Sequence, residues 1–401
     1  MTQQNSVIEL ALFSLKNKGL NDYLGNYDSF SSSIKQLDGF KWLHTFQNIH
    51  NPDELLDIAE WENLEKAQKA DETVQQSAEF KKLFGPIEKV EYFNHVRQLG
   101  MRSTREMDEN TLLELYVYRV EEEKREEHVK AKQEFAEYLA SEVEGFHDLI
   151  WFEVIGDEQW HVDLYFYELF DGIEENNKAI EEHEVSQKLM QTIAELKYFK
   201  TFTQLKTDRV KTDLTKTNKP YYKAAKKAEE LELRSHRFLS VNGIGAPDSA
   251  QFDKAISDIY SVAYKVKFNC KAIGHDFVVP KMEAFWYVEE GKDFAESERD
   301  EWHWQVMIPL PEFVHPSIVK TTIDNLDLAE RVSLKRQEPA RHVQIMHLGS
   351  YDQEEESIGK VHGYIENQGY KMAGYHREIY LNDPRKTPEE KLKTIIRYQI
   401  A

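Results

Sequence analysis

The polarity of the chain changes period along its length, and it does so in one order that occurs twice. VIELALFSL, from Val7, alternates so that Ile8, Leu10 and Leu12 share a face. LLELYVYRV, from Leu112, does the same with Leu113, Leu115 and Val117. Side chains two apart point to one side of a strand, so both segments are predicted strands. A stretch with apolar residues three and four apart follows, as in KREEHVKAKQEFAEYLASEV, and predicts a helix. Two more strands are predicted in each copy, near 40–48 and 54–61 and near 146–155 and 159–169. Gly156-Asp157 marks the hairpin turn of the second copy. A second helix and a last strand, EYFNHVRQL or KYFKTFTQL, close each unit. Asp38-Gly39-Phe40 matches Glu144-Gly145-Phe146, and Glu91-Tyr92-Phe93 matches Lys197-Tyr198-Phe199, at one offset of 106 residues. Agreement of that kind across a unit is the mark of an internal repeat.

The β-α-β-β-α-β order is the ferredoxin-like plan. It resembles the antibiotic-biosynthesis-monooxygenase family, in which two such units pack sheet to sheet as a dimer. One chain supplies both units here, so the expected fold is α+β, with residues 1–100 and 106–206 forming a pseudo-dimeric barrel. AIEEHEVSQKL, with His183, resembles the Ala-x-x-x-His stretch that many members carry on their second helix, where the first copy has Ser77. The resemblance leaves oxygenase or haem chemistry open for this half, beside a scaffold or accessory role. Tyr116, Tyr118, Trp151, Trp160, Tyr165 and Tyr167 fall at strand positions and are expected in core or interface.

The pattern then changes. Residues 207–236 are rich in Lys and Thr, are broken by Pro220, and are expected to be a linker and lead-in. From Phe238 the chain reads strand, turn, helix through FLSVNGIGAPDSAQFDKAISDIYSVAYKVKF. Its GIG segment lacks the third glycine and the Lys-Ser/Thr of a nucleotide-binding loop. FVVPKMEAFWYVEE, EWHWQVMIPLP, ARHVQIMHLGSY and GYHREIYLND read as strands, with helices near 315–328 and 353–367. Two β-α-β-β halves are traced, one beginning at Phe238 and the other at Trp302. These segments, with the tail EIYLNDPRKTPEEKLKTIIR, resemble the GyrI-like small-molecule-binding domain over 237–401, in the free-standing branch similar to cyclopropanoid hydrolases.

Composition narrows the setting. The formal net charge is −21 over 401 residues, which argues against nucleic acid or an anionic membrane as partner. A single cysteine, Cys270, excludes an internal disulfide and a cysteine zinc cluster. MTQQNSVIEL carries no basic segment before an apolar run, and no stretch of roughly 18 apolar residues occurs, so a cytoplasmic protein is expected. No metal or cofactor is expected, and oligomeric state is left open.

Alternation places His376, Glu378 and Tyr380 on one face of GYHREIYL, and Trp302, Trp304, Val306 and Ile308 on one face of DEWHWQVMI. If those faces meet, they make an aromatic groove with one carboxylate, suited to a hydrophobic or aromatic small molecule. The GyrI-like resemblance implies that Glu378, in Glu-Ile-Tyr, sits in the ligand pocket. In the hydrolase-like branch it would deprotonate a water that opens a strained cyclopropane, with Tyr351 or Tyr380 stabilising the oxyanion. Glu283 is a second carboxylate candidate; it shares a face with Phe285, while Trp286 points the other way. His347 is a core histidine or a pocket donor. The candidate catalytic set is thus Glu378, Tyr351 and Glu283, and the candidate ligand set Phe285, Trp286, Trp302, Trp304, His347, His376 and Tyr380. The implied function is binding, with hydrolytic detoxification as its enzymatic form, of hydrophobic electrophilic molecules. A non-catalytic sensor or sequestering protein would use the same groove.

Overall fold

The computed structural model describes residues 6–401 except 18, 78–79, 82–83, 104–110, 169–172, 208–210, 293 and 295. The expected break between the repeats at 106, the first five residues and part of the expected linker lie outside the described residues. Two compact units result, Met1–Arg209 with Ala272–Gly274, and Val210–Lys271 with His275–Ala401. Among the described residues no helix is long and apolar enough to cross a membrane.

The first unit runs β1 (Val7–Leu15), a helix (Gly19–Ile34), β2 (Phe40–Asn48), β3 (Glu54–Trp61), a helix (Leu64–Gln76) and β4 (Ile87–Ser103). The order then repeats as β5 (Thr111–Arg119), a helix (Arg125–Glu142), β6 (Phe146–Val154), β7 (Asp157–Glu168), two short helices (Ile173–Glu182 and Glu184–Met190) and β8 (Glu195–Gln204). The eight strands close a barrel in the order β1-β3-β2-β8-β5-β7-β6-β4. Each repeat contributes four strands, and β2–β8 and β4–β6 join the repeats edge to edge. Closure leaves no free sheet edge, which is the reason two copies suffice. Leu10, Leu12, Leu113, Leu115 and Val117, the predicted inward face, are buried in the barrel core. Tyr118 is buried and donates to Asp163 at 3.0 Å, and Asp163 also pairs with buried Lys132. Tyr116 and Tyr167 donate to Glu114. His183 caps the helix Glu184–Met190, accepting from the Val185 amide, and stacks on Tyr138 at 3.9 Å.

The second unit adds β9 (Lys211–Thr212), β10 (Glu229–Leu233), β11 (His236–Ile244), a long helix (Ala250–Ala272), β12 (Asp276–Phe277), β13 (Glu283–Tyr287) and β14 (His303–Leu310). A helix (Pro316–Asn325), β15 (Ser333–Gln337), β16 (Ala340–Leu348), a helix (Glu355–Asn367), β17 (His376–Tyr380) and β18 (Lys393–Ile400) complete it. Its sheet has the order β10-β16-β18-β17-β13-β14-β11-β15. The two β-α-β-β halves are β11, Ala250–Ala272, β13, β14 and β16, Glu355–Asn367, β17, β18; they meet where β13 pairs with β17. The second half therefore begins at Ala340 and not at Trp302, because β14 lies between β13 and β11 and closes the first half.

The segment 207–236 is also corrected. It is not a solvated linker: Tyr221 and Tyr222 are buried, and β10 pairs with β16 at the sheet edge. Its aromatic pair supplies the burial that a Lys-rich composition hides.

Trp304 is a core residue. It is 1% exposed, with the Phe252 ring edge-on at 5.1 Å and Gly243 against its own ring. A Cβ at Gly243 would lie 2.2 Å from the Trp304 ring. Gly243→Ala is expected to destabilise the protein by about 1–3 kcal/mol through overpacking, read as a lower urea midpoint; an unchanged midpoint would show that the ring moves aside freely.

Candidate functional site

β17 lies between β13 and β18 in the centre of the sheet, so both of its edges are hydrogen-bonded and its side chains are presented from a fixed strand. Its alternation separates two polar systems. His376, Glu378 and Tyr380 face a cavity of about 1800 Å³, which is also lined by residues of the helices Ala250–Ala272 and Glu355–Asn367. Arg377 and Ile379 face the opposite side. Partners directly across the β13–β17 pair share a face, so Trp286, opposite His376, also lines the cavity, while Glu283, opposite Ile379, does not.

The cavity wall is aromatic. Trp286 meets Phe252 at 5.3 Å and Trp302 at 6.0 Å, and Phe294 stacks on Trp302 at 4.4 Å. Tyr351 meets Tyr380 edge-on at 5.5 Å. The Trp286 indole N–H donates to the Tyr380 hydroxyl at 3.0 Å, which fixes both rings.

The polar part of the cavity is a chain of hydrogen bonds. His376 Nε2 lies 2.9 Å from Glu378 Oε1, and His376 Nδ1 lies 2.8 Å from the Tyr398 hydroxyl. An ionised carboxylate only accepts, so the imidazole proton belongs on Nε2 and Nδ1 accepts from Tyr398. Burial, with the charges of Glu378 and Glu354, keeps the Tyr398 hydroxyl protonated well above its usual range. A second carboxyl, Glu354, stands beside this chain, with Oε2 at 3.9 Å from His376 Nε2. Glu354 is 5% exposed and its Oε1 has no hydrogen-bond partner. Burial, reinforced by the charge of Glu378, pushes its pKa up to about 10. The same two causes raise the Tyr351 hydroxyl to about 12. At neutral pH the site thus contains a carboxylic acid at Glu354 and phenols at Tyr351 and Tyr380 as donors.

Among the described residues, two groups of side chains have ligand types and spacing that suit a metal ion. One is Glu354, His376 and Glu378 in this cavity; the other is Glu9, Asp71 and His95 in the first unit. In each, one ligating atom per residue lies within 4.8 Å of the others.

Residues 227–401 match the family described as GyrI-like small molecule binding domain. An uncharacterized conserved protein from Listeria innocua is 32% identical over 48% of this chain and 100% of its own, with a TM-score of 0.44. A hydrolase from the same organism is 31% identical over the same shares, with a TM-score of 0.42. Residues 227–401 are a GyrI-like domain. A putative monooxygenase from Lactobacillus acidophilus is 10% identical over 50% of this chain and 94% of its own, with a TM-score of 0.38. No curated protein matches the sequence.

Within the GyrI-like domain, six of the sequence candidates come together: Trp286, Trp302, Tyr351, His376, Glu378 and Tyr380 all line the large cavity. Four do not. Trp304 lies on the expected face but is covered by Phe252. Glu283 is fully buried on the other side of the sheet, paired with Arg377 at 2.5 Å and accepting from Tyr221 at 2.8 Å. It is therefore an ion-pair partner and not a cavity carboxylate. Phe285 shares that face and sits 5.3 Å from the Arg377 guanidinium. His347 is hydrogen-bonded at 3.0 Å to both Ser357 Oγ and the Ser350 carbonyl, which braces the turn carrying Tyr351 without lining the cavity. Glu354 is the carboxyl that sequence reasoning missed, and Phe252 and Tyr398, which also line the cavity, were not among the candidates. Glu354 is the first of three consecutive glutamates at a helix start, where acidic residues commonly complement the helix dipole. Only the turn Tyr351–Gln353 aims it inward while Glu355 and Glu356 stay exposed.

The raised pKa of Glu354 has a stability consequence. Between its ordinary value of 4.5 and about 10, the folded protein holds a proton that the unfolded chain releases. This contribution is fully present below pH 4.5 and is lost as pH rises through that window, by up to about 1.4 kcal/mol per pH unit. Urea denaturation from pH 5 to 10 is expected to show this decline in wild type and a flatter profile in Glu354→Gln; parallel profiles would contradict the assignment.

Proposed function

We propose that the GyrI-like domain binds hydrophobic, electrophilic small molecules in its aromatic cavity and hydrolyses those with a strained ring. The observation that carries this reading is the pairing of two carboxyls at one end of the cavity, Glu378 held by His376 and Glu354 buried beside it with one oxygen unpartnered and its pKa pushed up. Environments that separate two acid groups in this way assign them to base and acid roles.

Glu378 takes a proton from a water molecule. The water oxygen attacks a cyclopropane carbon conjugated to an electron-accepting ring system. The C–C bond breaks, and its electron pair passes into the acceptor, whose oxygen becomes anionic. Glu354, as a carboxylic acid, or the Tyr351 O–H donates a hydrogen bond to that oxygen, and the proton that Glu378 took from water passes to it, so that one water is added and both carboxyls return to their starting states. Ring strain supplies the driving force. His376 keeps Glu378 oriented, its own ring fixed by Tyr398. Trp286, Trp302 and Phe252 present flat apolar faces to a planar ligand and exclude water from it.

Incubation with a cyclopropane-bearing genotoxin, followed by mass spectrometry, tests the reading. Wild type is expected to form the water adduct, Glu378→Gln to be slower by about 10²–10⁴-fold as for loss of a general base, and Glu354→Gln to be slowed less. Product in wild type no greater than in buffer would reject hydrolysis; saturable quenching of tryptophan fluorescence without product would leave a binding protein.

A further inference from the structure

The opposite face of β17 holds a second, smaller cavity, of about 250 Å³. Two arginines, Arg377 and Arg397, line it, and no carboxylate does. Both are fully buried. Arg377 is satisfied: it pairs with Glu283 and also donates to Gln337 Oε1 and Tyr221. Arg397 is not. Its Nε and Nη2 donate only to neutral oxygens, Gln344 Oε1 at 3.2 and 2.7 Å and the Tyr221 carbonyl at 2.7 Å. The face of the Tyr221 ring lies 4.6 Å from its guanidinium carbon. Its Nη1 is buried with no partner.

The local charge does not balance. Glu283 is the one carboxylate paired directly with either guanidinium, and it is engaged by Arg377; Glu229 reaches Arg397 only through the Gln344 amide between them. His342 adds no charge, since burial and the two arginines hold its pKa down at about 3. Its Nδ1 lies 3.0 Å from the Ala340 carbonyl and its Nε2 is 3.3 Å from the Gln337 amide nitrogen, an arrangement that suits a neutral ring. A buried guanidinium without a counter-charge costs several kcal/mol, a cost that a bound anion removes. Gln399 lies two residues beyond Arg397 on β18, so both face the cavity, and its amide is a further donor there.

We infer that this cavity is a binding site for a small monovalent anion, a halide or a short carboxylate, held by Arg397 Nη1 and Gln399. One guanidinium lacks a directly paired carboxylate, which favours a monoanion over phosphate or sulfate. The site is separate from the aromatic cavity and does not depend on hydrolysis there. Gly374 and Tyr375 line both cavities and mark where the two come closest. An anion behind β17 would firm the strand that presents His376 and Glu378.

Equilibrium unfolding of the full chain in rising sodium formate, and separately in sodium bromide, tests this. Once the site fills, each tenfold rise in anion is expected to lower the unfolding constant of wild type by up to tenfold beyond any general salt effect. Arg397→Gln is expected to lose that increment. Should Arg397→Gln fail to fold, Gln399→Glu keeps the test open. It supplies a tethered carboxylate, so it is expected to be at least as stable as wild type at low salt and to ignore both anions. A response to formate alone or to bromide alone identifies which monoanion the site takes. Equal salt responses in wild type and Gln399→Glu, or no response of wild type to either anion beyond the general salt effect, would overturn the proposal.

Discussion

The antiparallel pairing of β13 with β17 is the constraint on which the rest of the GyrI-like domain depends. It joins the two β-α-β-β halves, and it sets which side chains of each strand face which cavity. Side chains have a period of two, so a slip of one residue would send Glu378 and His376 to the arginine side and Arg377 to the aromatic side. That slip is opposed by an ion pair that exists in one register only, Glu283 with Arg377, buried against Tyr221. The ion pair thus has a positional role. Its removal would leave a buried charge, and its register holds the cavity side chains in place.

From this follows a division of labour between the two faces. On one, aromatic rings enclose a space in which a carboxyl loses its solvent, and two neighbouring carboxyls cannot both ionise. On the other, guanidinium groups are buried among amides, a tyrosine and one carboxylate. The acid–base character of the first face arises from exclusion of water as much as from residue identity. Glu354 would be an ordinary surface glutamate one position later in the chain, as Glu355 and Glu356 are.

Much of this was legible in the sequence. The twice-repeated strand and helix order predicts the barrel, because closure requires the same inward face from each copy. The parity of HREIY and EAFWY assigns His376, Glu378, Tyr380 and Trp286 to one side and Glu283 and Phe285 to the other. Parity does not report depth. Trp302 and Trp304 have the same parity, yet Phe252 covers Trp304 and leaves Trp302 at the cavity. Nor does composition report context. The Lys-rich segment 207–236 reads as a linker until Tyr221 is seen against two buried arginines. Glu354 was hidden for a third reason: a run of like residues carries no period, and a single turn decides which member points inward.

Burial beside a second carboxyl keeps Glu354 protonated at neutral pH. Infrared spectroscopy reads this directly through the carbonyl stretch of a protonated carboxyl. Asp57 and Asp71 of the first unit, both pushed up to about 7, give bands of their own, so the decisive reading is the difference between wild type and Glu354→Gln. At pH 7 that difference is expected to contain a protonated-carboxyl band, and wild type minus Tyr351→Phe to lack it; a wild-type minus Glu354→Gln spectrum without the band would show Glu354 ionised.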